Sequence, residues 1–505
     1  MKRTLKKAFA FVLVLSMVCS SGIMAFAAEA KSSTRVQVQL NGEMIDFTDA
    51  VPKMVEGRVM VPFRSILEKV NAEVEYDQQK ENVTAVLGDK SISFTEGSTK
   101  LQVKEGEKTE NKEMDVAPFV DQKSNRIYVS TRSIAEAFGY SVGWDNANKA
   151  VIIIDFNKVF KDADKDFSYL SMPYETEYDQ EKTYKTTGTL DGKVEVTSPL
   201  AEGEKKAEKI NVGISGSYTG LQQMMNADLT MKLALNFDSL LKSQQMTDED
   251  KALMSSILGN FKNLEMQIKM DDSGVMYMKS PIMSTAVGFL GKDVDKDTWY
   301  KMDMNEIYKE AGIDYQEIID MSKGFAGNVN LADILTQLIT GLSDTFTVDT
   351  YKDVEGMYAV AKELAGDQAF KTVGNTHTLT LDGKTFSAAL SKYAEEIGFS
   401  KEEMKELQEL DFSCTIQIDE RNGKARNTKV KLSIATEAIT MSMDMNGDAL
   451  NSTCNLVMSI PDSMDIQMNA KAKSEVTTEK VDTSIPKDAN VVDYMKMAES
   501  MKAAS

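Results

Sequence analysis

Residues 58 to 86 read RVMVPFRSILEKVNAEVEYDQQKENVTAV, and residues 126 to 154 read RIYVSTRSIAEAFGYSVGWDNANKAVIII. The two stretches align without a gap at an offset of 68. Identical pairs include Arg58/Arg126, Val61/Val129, Arg64/Arg132, Ser65/Ser133, Ile66/Ile134, Glu68/Glu136, Val74/Val142, Asp77/Asp145 and Val83/Val151. Ungapped agreement of this kind means one supersecondary unit used twice. Each unit reads strand, helix, strand, turn, strand. In the first copy Val59 to Val61 is a short strand. Ile66, Leu67 and Val70 fall on one side of a helix over Phe63 to Val70. Glu73 to Tyr76 is extended, Asp77 to Lys80 is a turn, and Asn82 to Leu87 is the closing strand. In the second copy Ser130 or Thr131 caps the helix and Gly139 ends it.

Further strands precede each copy, over Val36 to Ile45 and Lys90 to Val103, the first as a hairpin around Asn41-Gly42. Between the copies, Lys104 to Asp115 mixes acids and bases and reads as a mobile, solvated loop.

The repeat resembles the copper amine oxidase N-terminal-like domain, or stalk domain, of secreted bacterial proteins. R-V-M-V-P-F-R-S-I at 58 to 66, R-I-Y-V-S-T-R-S-I-A-E-A-F-G at 126 to 139 and V-G-W-D-N-A-N-K-A-V-I-I-I at 142 to 154 carry the resemblance, which covers about residues 36 to 155. It implies a non-catalytic envelope module beside a second, varied domain. The oxidase's catalytic domain holds copper with three histidines and makes its cofactor from tyrosine. This chain has one histidine, His377, so that chemistry is excluded.

Residues 1 to 27 have the three parts of a secretory signal. Lys2, Arg3, Lys6 and Lys7 are basic, Ala8 to Val18 is apolar, and Ala25-Phe26-Ala27 is a small-x-small site. The apolar run is too short for a good membrane span, and no later stretch is long and apolar enough to make one. Cys19 is no lipidation site, because Val18 stands where a small residue is wanted. The protein is therefore expected outside the cytoplasmic membrane. Its formal charge of -20 argues against nucleic acid, whose phosphates need a basic surface.

From about Phe156 the pattern changes. Phe156, Val159, Phe160, Phe167 and Leu170 suggest a short helical lead. Alternating strands follow at Thr183 to Thr197, Ile210 to Gly220, Ala227 to Phe237, Leu264 to Met270, Gly274 to Met278 and Thr298 to Met304. A helical middle comes next. The strands resume at Thr376 to Leu381, Phe412 to Asp419, Asn427 to Ala435, Glu437 to Asn446, Ser452 to Ile460 and Met464 to Lys473. Asp191-Gly192, Asp382-Gly383 and Asn446-Gly447 are turn signals. Helices are expected at Asp248 to Leu258, Met304 to Gly312, Leu331 to Leu342, Thr385 to Glu396, Lys401 to Leu410 and Val491 to Met501. The fold class is then α+β: a small duplicated strand-helix-strand module over 36 to 155, and a large antiparallel half-barrel sheet with inserted helices over 156 to 500. This second region is similar to the LolA-like superfamily of envelope lipoproteins and lipid carriers. Gly274-Val-Met-Tyr-Met-Lys-Ser-Pro281, Thr298-Trp-Tyr-Lys-Met-Asp-Met304 and Ile485-Pro-Lys-Asp-Ala-Asn-Val-Val492 carry that resemblance, while the family's lipid-attachment cysteine is missing.

The candidate ligand-binding residues are alternating and thioether-rich: Met266, Ile268 and Met270; Met441, Met443 and Met445; Met464, Ile466 and Met468. Period-2 spacing puts each set on one sheet face. Such a face suits an acyl chain or other irregular apolar ligand; equally, it suits plain core beneath helices. Copper(I) would need a tighter Met-x-x-Met cluster or a histidine. Asp162-x-Asp164-x-Asp166 begins like a calcium loop, but Pro173 stands where the bidentate Glu belongs, so a solvated linker fits better. His377 starts a strand and reads as a surface or edge residue. Cys414 and Cys454 each lie on an apolar face with two strands between them, which suits buried thiols better than a bridge. Arg64/Arg132 and Tyr76/Trp144 read either as an internal lock for the shared fold or as a glycan-binding surface. No catalytic residue, metal site or cofactor motif is assigned. The expected function is a secreted, non-enzymatic envelope protein. Its partners are a cell-wall or surface component through the stalk module and a lipid or other apolar ligand, or a protein, on the second domain. The competing classes are a structural surface protein that holds no ligand, and a hydrolase with two close carboxylates. The signal reading predicts that intact-mass analysis of exported protein finds an N-terminus within a residue or two of Ala27; a chain still starting at Met1 contradicts it.

Overall fold

The two copies fold alike, element for element. The first is strand Arg58–Pro62, helix Phe63–Leu67 and strands Glu73–Asp77 and Asn82–Leu87. The second is strand Arg126–Ser130, helix Thr131–Ala137 and strands Ser141–Asp145 and Ala150–Ile154. The opening strands pair antiparallel with Val61 opposite Val129. These are equivalent residues, so a local two-fold axis through this pair relates the copies. Asp77 and Asp145 do the same work. Each Oδ1 accepts from the N–H groups two and three residues on, at 3.0 and 3.2 Å in the first copy and 2.9 and 3.0 Å in the second. That side-chain bond is what makes Asp a turn former. Phe63, Leu67, Ile134, Ala137 and Phe138 from the helices fill one core with Val83, Ile92, Phe94 and Leu101. Val59, Val61, Ile66, Ala135, Val142, Val151 and Ile153 fill a second.

The computed structural model describes residues 36–173, 179, 181–197, 209–242, 247–259, 262–289, 295–310, 315, 331–392, 405, 408–409 and 411–497. The expected signal peptide lies outside these residues, as does most of the helix expected over Lys401 to Leu410. Among the described residues no helix is long and apolar enough to cross a membrane.

Around the repeat, the Asn41-Gly42 hairpin forms as the residues dictate. Both turn residues have positive φ, 48° and 81°, between strands Gln37–Leu40 and Glu43–Met44. The stretch from Lys104 to Asp115, expected as a loop, is instead ordered pairing. Lys100–Glu105 and Lys108–Glu113 form the outer hairpin of a five-stranded sheet. Every residue of Lys108–Glu113 is exposed, so the charges mark an edge strand, where they discourage pairing with another chain.

The copies differ in what covers their outer faces. The chain divides into two compact units. Among the described residues the first contains everything up to Asp164 together with Leu331–Ala361. That late segment lies on the second copy. Ser141 Oγ and Thr340 Oγ1 are 2.5 Å apart, Val348 N–H donates to Asp145 Oδ2 at 3.1 Å, and Gln39 Nε2 donates to Val348 O at 2.9 Å. Phe346 meets the Phe156 ring edge-on. All five residues of Ala150–Ile154 are buried as a result, whereas Asn82–Leu87 alternates. A continuous apolar run is the mark of a strand covered on both sides. Gly143 is required here: a Cβ would stand 2.5 Å from both Phe346 Cβ and Ser343 O. Its counterpart Glu75 is exposed. Asp164 Oδ1 accepts from Leu331 N–H at 2.6 Å and so caps the Leu331–Thr340 helix.

The second unit is built on one fourteen-stranded sheet. Its order is Lys371–Val373, Thr376–Asp382, Asp411–Arg421, Lys424–Ala435, Thr440–Gly447, Asn451–Ile460, Met464–Thr477, Thr183–Thr197, Lys209–Gln223, Asn226–Asn236, Asn263–Met270, Val275–Lys279, Trp299–Asp303, Val491–Asp493. All neighbours are antiparallel except the last pair, which is parallel. Val491 therefore opens a strand, not the helix expected there; helical residues begin at Tyr494. Asp191-Gly192 is not a turn but mid-strand, because Lys209–Gln223 and Met464–Thr477 flank it on both sides. Asn446-Gly447 is likewise paired, and the chain turns at Asp448 to Leu450. Asp382-Gly383 leads into a helix: the Asp382 carboxylate and Thr385 form a capping box for Gly383–Ser391. Helices Pro281–Phe289 and Thr350–Ala365 were not expected from the pattern. Residues 478 to 490 run as a strap to the edge strand. Lys269 holds it, with Nζ 3.1 Å from Asp228 Oδ2 and 3.5 Å from Asp482 Oδ2.

The asymmetry of the repeat predicts opposite outcomes at two equivalent sites. Gly143→Val should destabilise the first unit by roughly 1–3 kcal/mol through overpacking, and hydrogen exchange should quicken at residues 343 to 348. Glu75→Val should stay within about 0.5 kcal/mol. Equal responses at the two positions would contradict this account.

Candidate functional site

Residues directly opposite in a ladder share a sheet face, as do residues two apart on one strand. One row therefore runs Leu432, Met443, Leu456, Met468, Gly192, Ile214, Leu235 across seven strands. The next is Ile434, Met441, Met458, Ile466, Val194, Val212. On the other side lies Val430, Met445, Cys454, Ala470, Leu190, Gly216, Leu233, Leu264. Met464 pairs with Ile460 and Val196, Met266 with Met231, Ile268 with Leu229 and Met278, and Met270 with Ala227 and Met276. All nine candidate residues thus lie on a single face of a single sheet. Every methionine and cysteine in the strands of this sheet is on that face. The opposite face carries charge, with direct pairs such as Lys431–Asp444 and Lys232–Glu265.

The face is not dry core. Eight of the nine candidates are half-buried, and Met445 is 40 % exposed. Helices close it at two places. Val287 and Met283 from Pro281–Phe289 pack with Tyr300, and Phe386 from Gly383–Ser391 meets Phe412 edge-on. Glycines shape the floor between. A Cβ on Gly192 would run into Met468 Sδ, one on Gly188 into the Tyr218 ring, and one on Gly216 would stand 2.6 Å from Leu233 Cδ2. Large side chains therefore lie flat across the strands where the glycines leave room.

The other sequence candidates are not gathered with this face. Arg64 and Arg132 are both exposed, and of the two only Arg132 makes the carboxylate and carbonyl contacts expected of an internal lock. Arg132 reaches Glu136 at 3.7 Å and Val142 O at 3.4 Å, while Arg64 lies over the Phe63 ring. Trp144 packs on the second core, whereas Tyr76 is 39 % exposed. Asp166 Oδ1 pairs with Lys362 Nζ at 2.7 Å, so the acidic triplet spends its carboxylates on caps and ion pairs. No disulfide joins Cys414 and Cys454, which stand on strands separated by two others. Among the described residues no cluster of three or more His, Cys, Asp or Glu is placed to hold a metal ion.

His377 corrects its sequence reading. It is buried, 4 % exposed, rather than at the surface. Its ring stacks on Tyr169 at 3.9 Å between centroids. Nδ1 is 2.9 Å from Thr372 Oγ1 and Nε2 is 3.1 Å from Glu420 Oε2. Tyr169 is itself held, its N–H donating to Asp367 Oδ1 at 3.0 Å. No local pattern announces this site, because Tyr169, His377 and Glu420 meet only when the strands are paired. The Gly423 N–H and then the His377 ring hold the Glu420 carboxyl below the usual range.

Residues 39–153 match the family described as Copper amine oxidase N-terminal domain. The match covers the duplicated module and no part of the large sheet. No curated protein matches the chain.

Because the folded-state pKa of Glu420 is depressed, its contribution to stability is present at neutral pH and is lost as pH falls through that value. Denaturant melts at pH 7 and at about pH 3.5, below the ordinary glutamate value, should show Glu420→Gln losing less stability than the parent. An equal loss in both would contradict the role given to this carboxylate.

Proposed function

We propose that this is an exported, non-enzymatic protein of the cell envelope, whose large sheet holds an apolar ligand on its thioether-bearing face. The observation that carries this reading is the two-sidedness of the sheet: one face bears all its methionines and cysteines among Leu, Ile and Val, and it stays half-exposed across its middle strands. A face of that width left half-solvated gains when an apolar partner covers it, at roughly 25 cal/mol per Å² removed from water. Methionine lets it adapt to a chain of irregular shape. Helices at both ends of the face suit a half-barrel of the LolA-like kind, in which the apolar side is the concave one. The duplicated module, matched to a domain that stands apart from the oxidase's copper chemistry, locates or spaces the protein at a wall or surface component. The signal pattern at residues 1 to 27 supports the export. The single histidine supports the non-enzymatic reading, since both ring nitrogens are engaged within the fold.

Mass spectrometry of organic extracts from purified mature protein tests the ligand. Co-purifying lipid, or saturable uptake of dansyl-labelled undecanoic acid, is expected. Clean extracts together with no uptake leave a structural surface protein, whose helices close the face and hold nothing.

A further inference from the structure

We infer that the thioether face is a modification site for two-electron oxidants such as peroxides, and that its oxidation to sulfoxide expels the apolar ligand. The inference rests on the ligand reading above and adds its control. The observation behind it is how many sulfur atoms one face of the sheet gathers. In the duplicated module Met60 and Met114 are sealed in core, 0 % and 2 % exposed, while Met44 and Met54 stand at the surface, 48 % and 49 % exposed. In the large sheet Met441, Met443 and Met445 line one strand at period 2, the first two half-buried and the third 40 % exposed. Their cross-strand partners include Met458 and Cys454, so one adjoining strand pair gathers five sulfur atoms onto the face. Ordinary core would not need sulfur there, because Leu or Ile fills a sheet face as well and with less flexibility.

The chemistry is closed with the oxidant named. A thioether lone pair attacks one peroxide oxygen, the O–O bond breaks, that oxygen becomes the sulfoxide oxygen, and water leaves. Sulfur is oxidised by two electrons and the peroxide is reduced by two. The product turns a flexible apolar side chain into a polar one with a strong acceptor. Beneath a bound acyl chain that acceptor has no donor, and burying it unpaired is unfavourable. Loss of about tenfold in affinity is expected once the Met441, Met443 and Met445 strand, which carries the most exposed of these thioethers, is oxidised. Methionine sulfoxide reductases reverse the change, so the face can be reset.

Two readouts on the mature full-length protein test this. Site-resolved peptide mass mapping during hydrogen peroxide treatment should show Met441, Met443 and Met445 oxidising well ahead of Met60 and Met114. Comparable rates would overturn the site. Titration with dansyl-labelled undecanoic acid, before and after treatment, should show about a tenfold weaker Kd, restored by sulfoxide reductase. The Met441→Leu, Met443→Leu, Met445→Leu variant keeps the volume but not the sulfur, and should lose less than about threefold on the same treatment. Unchanged binding by the oxidised parent, or equal loss in the variant, would overturn the release claim. Failure of the untreated parent to bind the probe instead removes the ligand reading, and peptide mapping alone then judges the modification site.

Discussion

The ladder between Thr183–Thr197 and Met464–Thr477 is the constraint on which the second unit depends. It runs without a break from Thr183 opposite Thr477 to Val196 opposite Met464. It is the long antiparallel seam between the strands before the helical middle and those after it, beside the short parallel pairing of Trp299–Asp303 with Val491–Asp493. Its register sets the parity of the whole sheet. Slipping it by one residue would send Met464, Ile466 and Met468 to the charged side while Val194 and Leu190 stayed behind. Many backbone hydrogen bonds, each modest in net terms, hold that choice jointly, and burial of one face discriminates between registers more strongly than any single bond.

The first unit depends on symmetry and on breaking it. Pairing Val61 with Val129 lets one strand-helix-hairpin plan serve twice. The copies then diverge at equivalent positions: Gly143 against Glu75, Ile152 against Thr84, Ile154 against Val86. In one copy these residues admit the Leu331–Ala361 segment; in the other they meet water. The Leu331–Ala361 segment interrupts the second unit in sequence yet packs in the first. A reading that walks along the chain assigns it to its sequence neighbours, whereas contacts assign it to the strand whose glycine makes room for it.

Some misread positions share a cause. Asp191-Gly192 and Asn446-Gly447 have turn chemistry, yet both are strand, because pairing on each side outweighs the local preference of a dipeptide. Lys104 to Asp115 has loop composition, yet it pairs, since an exposed edge strand needs no apolar residues. His377 looked peripheral because it stands between two threonines at the start of a strand. The Lys371–Val373 edge strand, the stacked Tyr169 ring and the Glu420 carboxylate enclose it.

What the sequence determined by itself is whatever depends on spacing along the chain. The offset repeat, the alternation that makes each strand two-faced, the Asx turns at Asp77 and Asp145 and the Asn41-Gly42 hairpin were all legible, because each is set by neighbours within a few residues. Tertiary structure alone decided which strand lies beside which. Only that choice brings nine separate apolar positions onto one face, closes His377 between Tyr169 and Glu420, and carries Phe346 to Gly143. The reason is physical: period-2 patterning fixes the side of a strand a residue takes relative to its own neighbours, and the pairing of distant strands fixes which of those sides are joined.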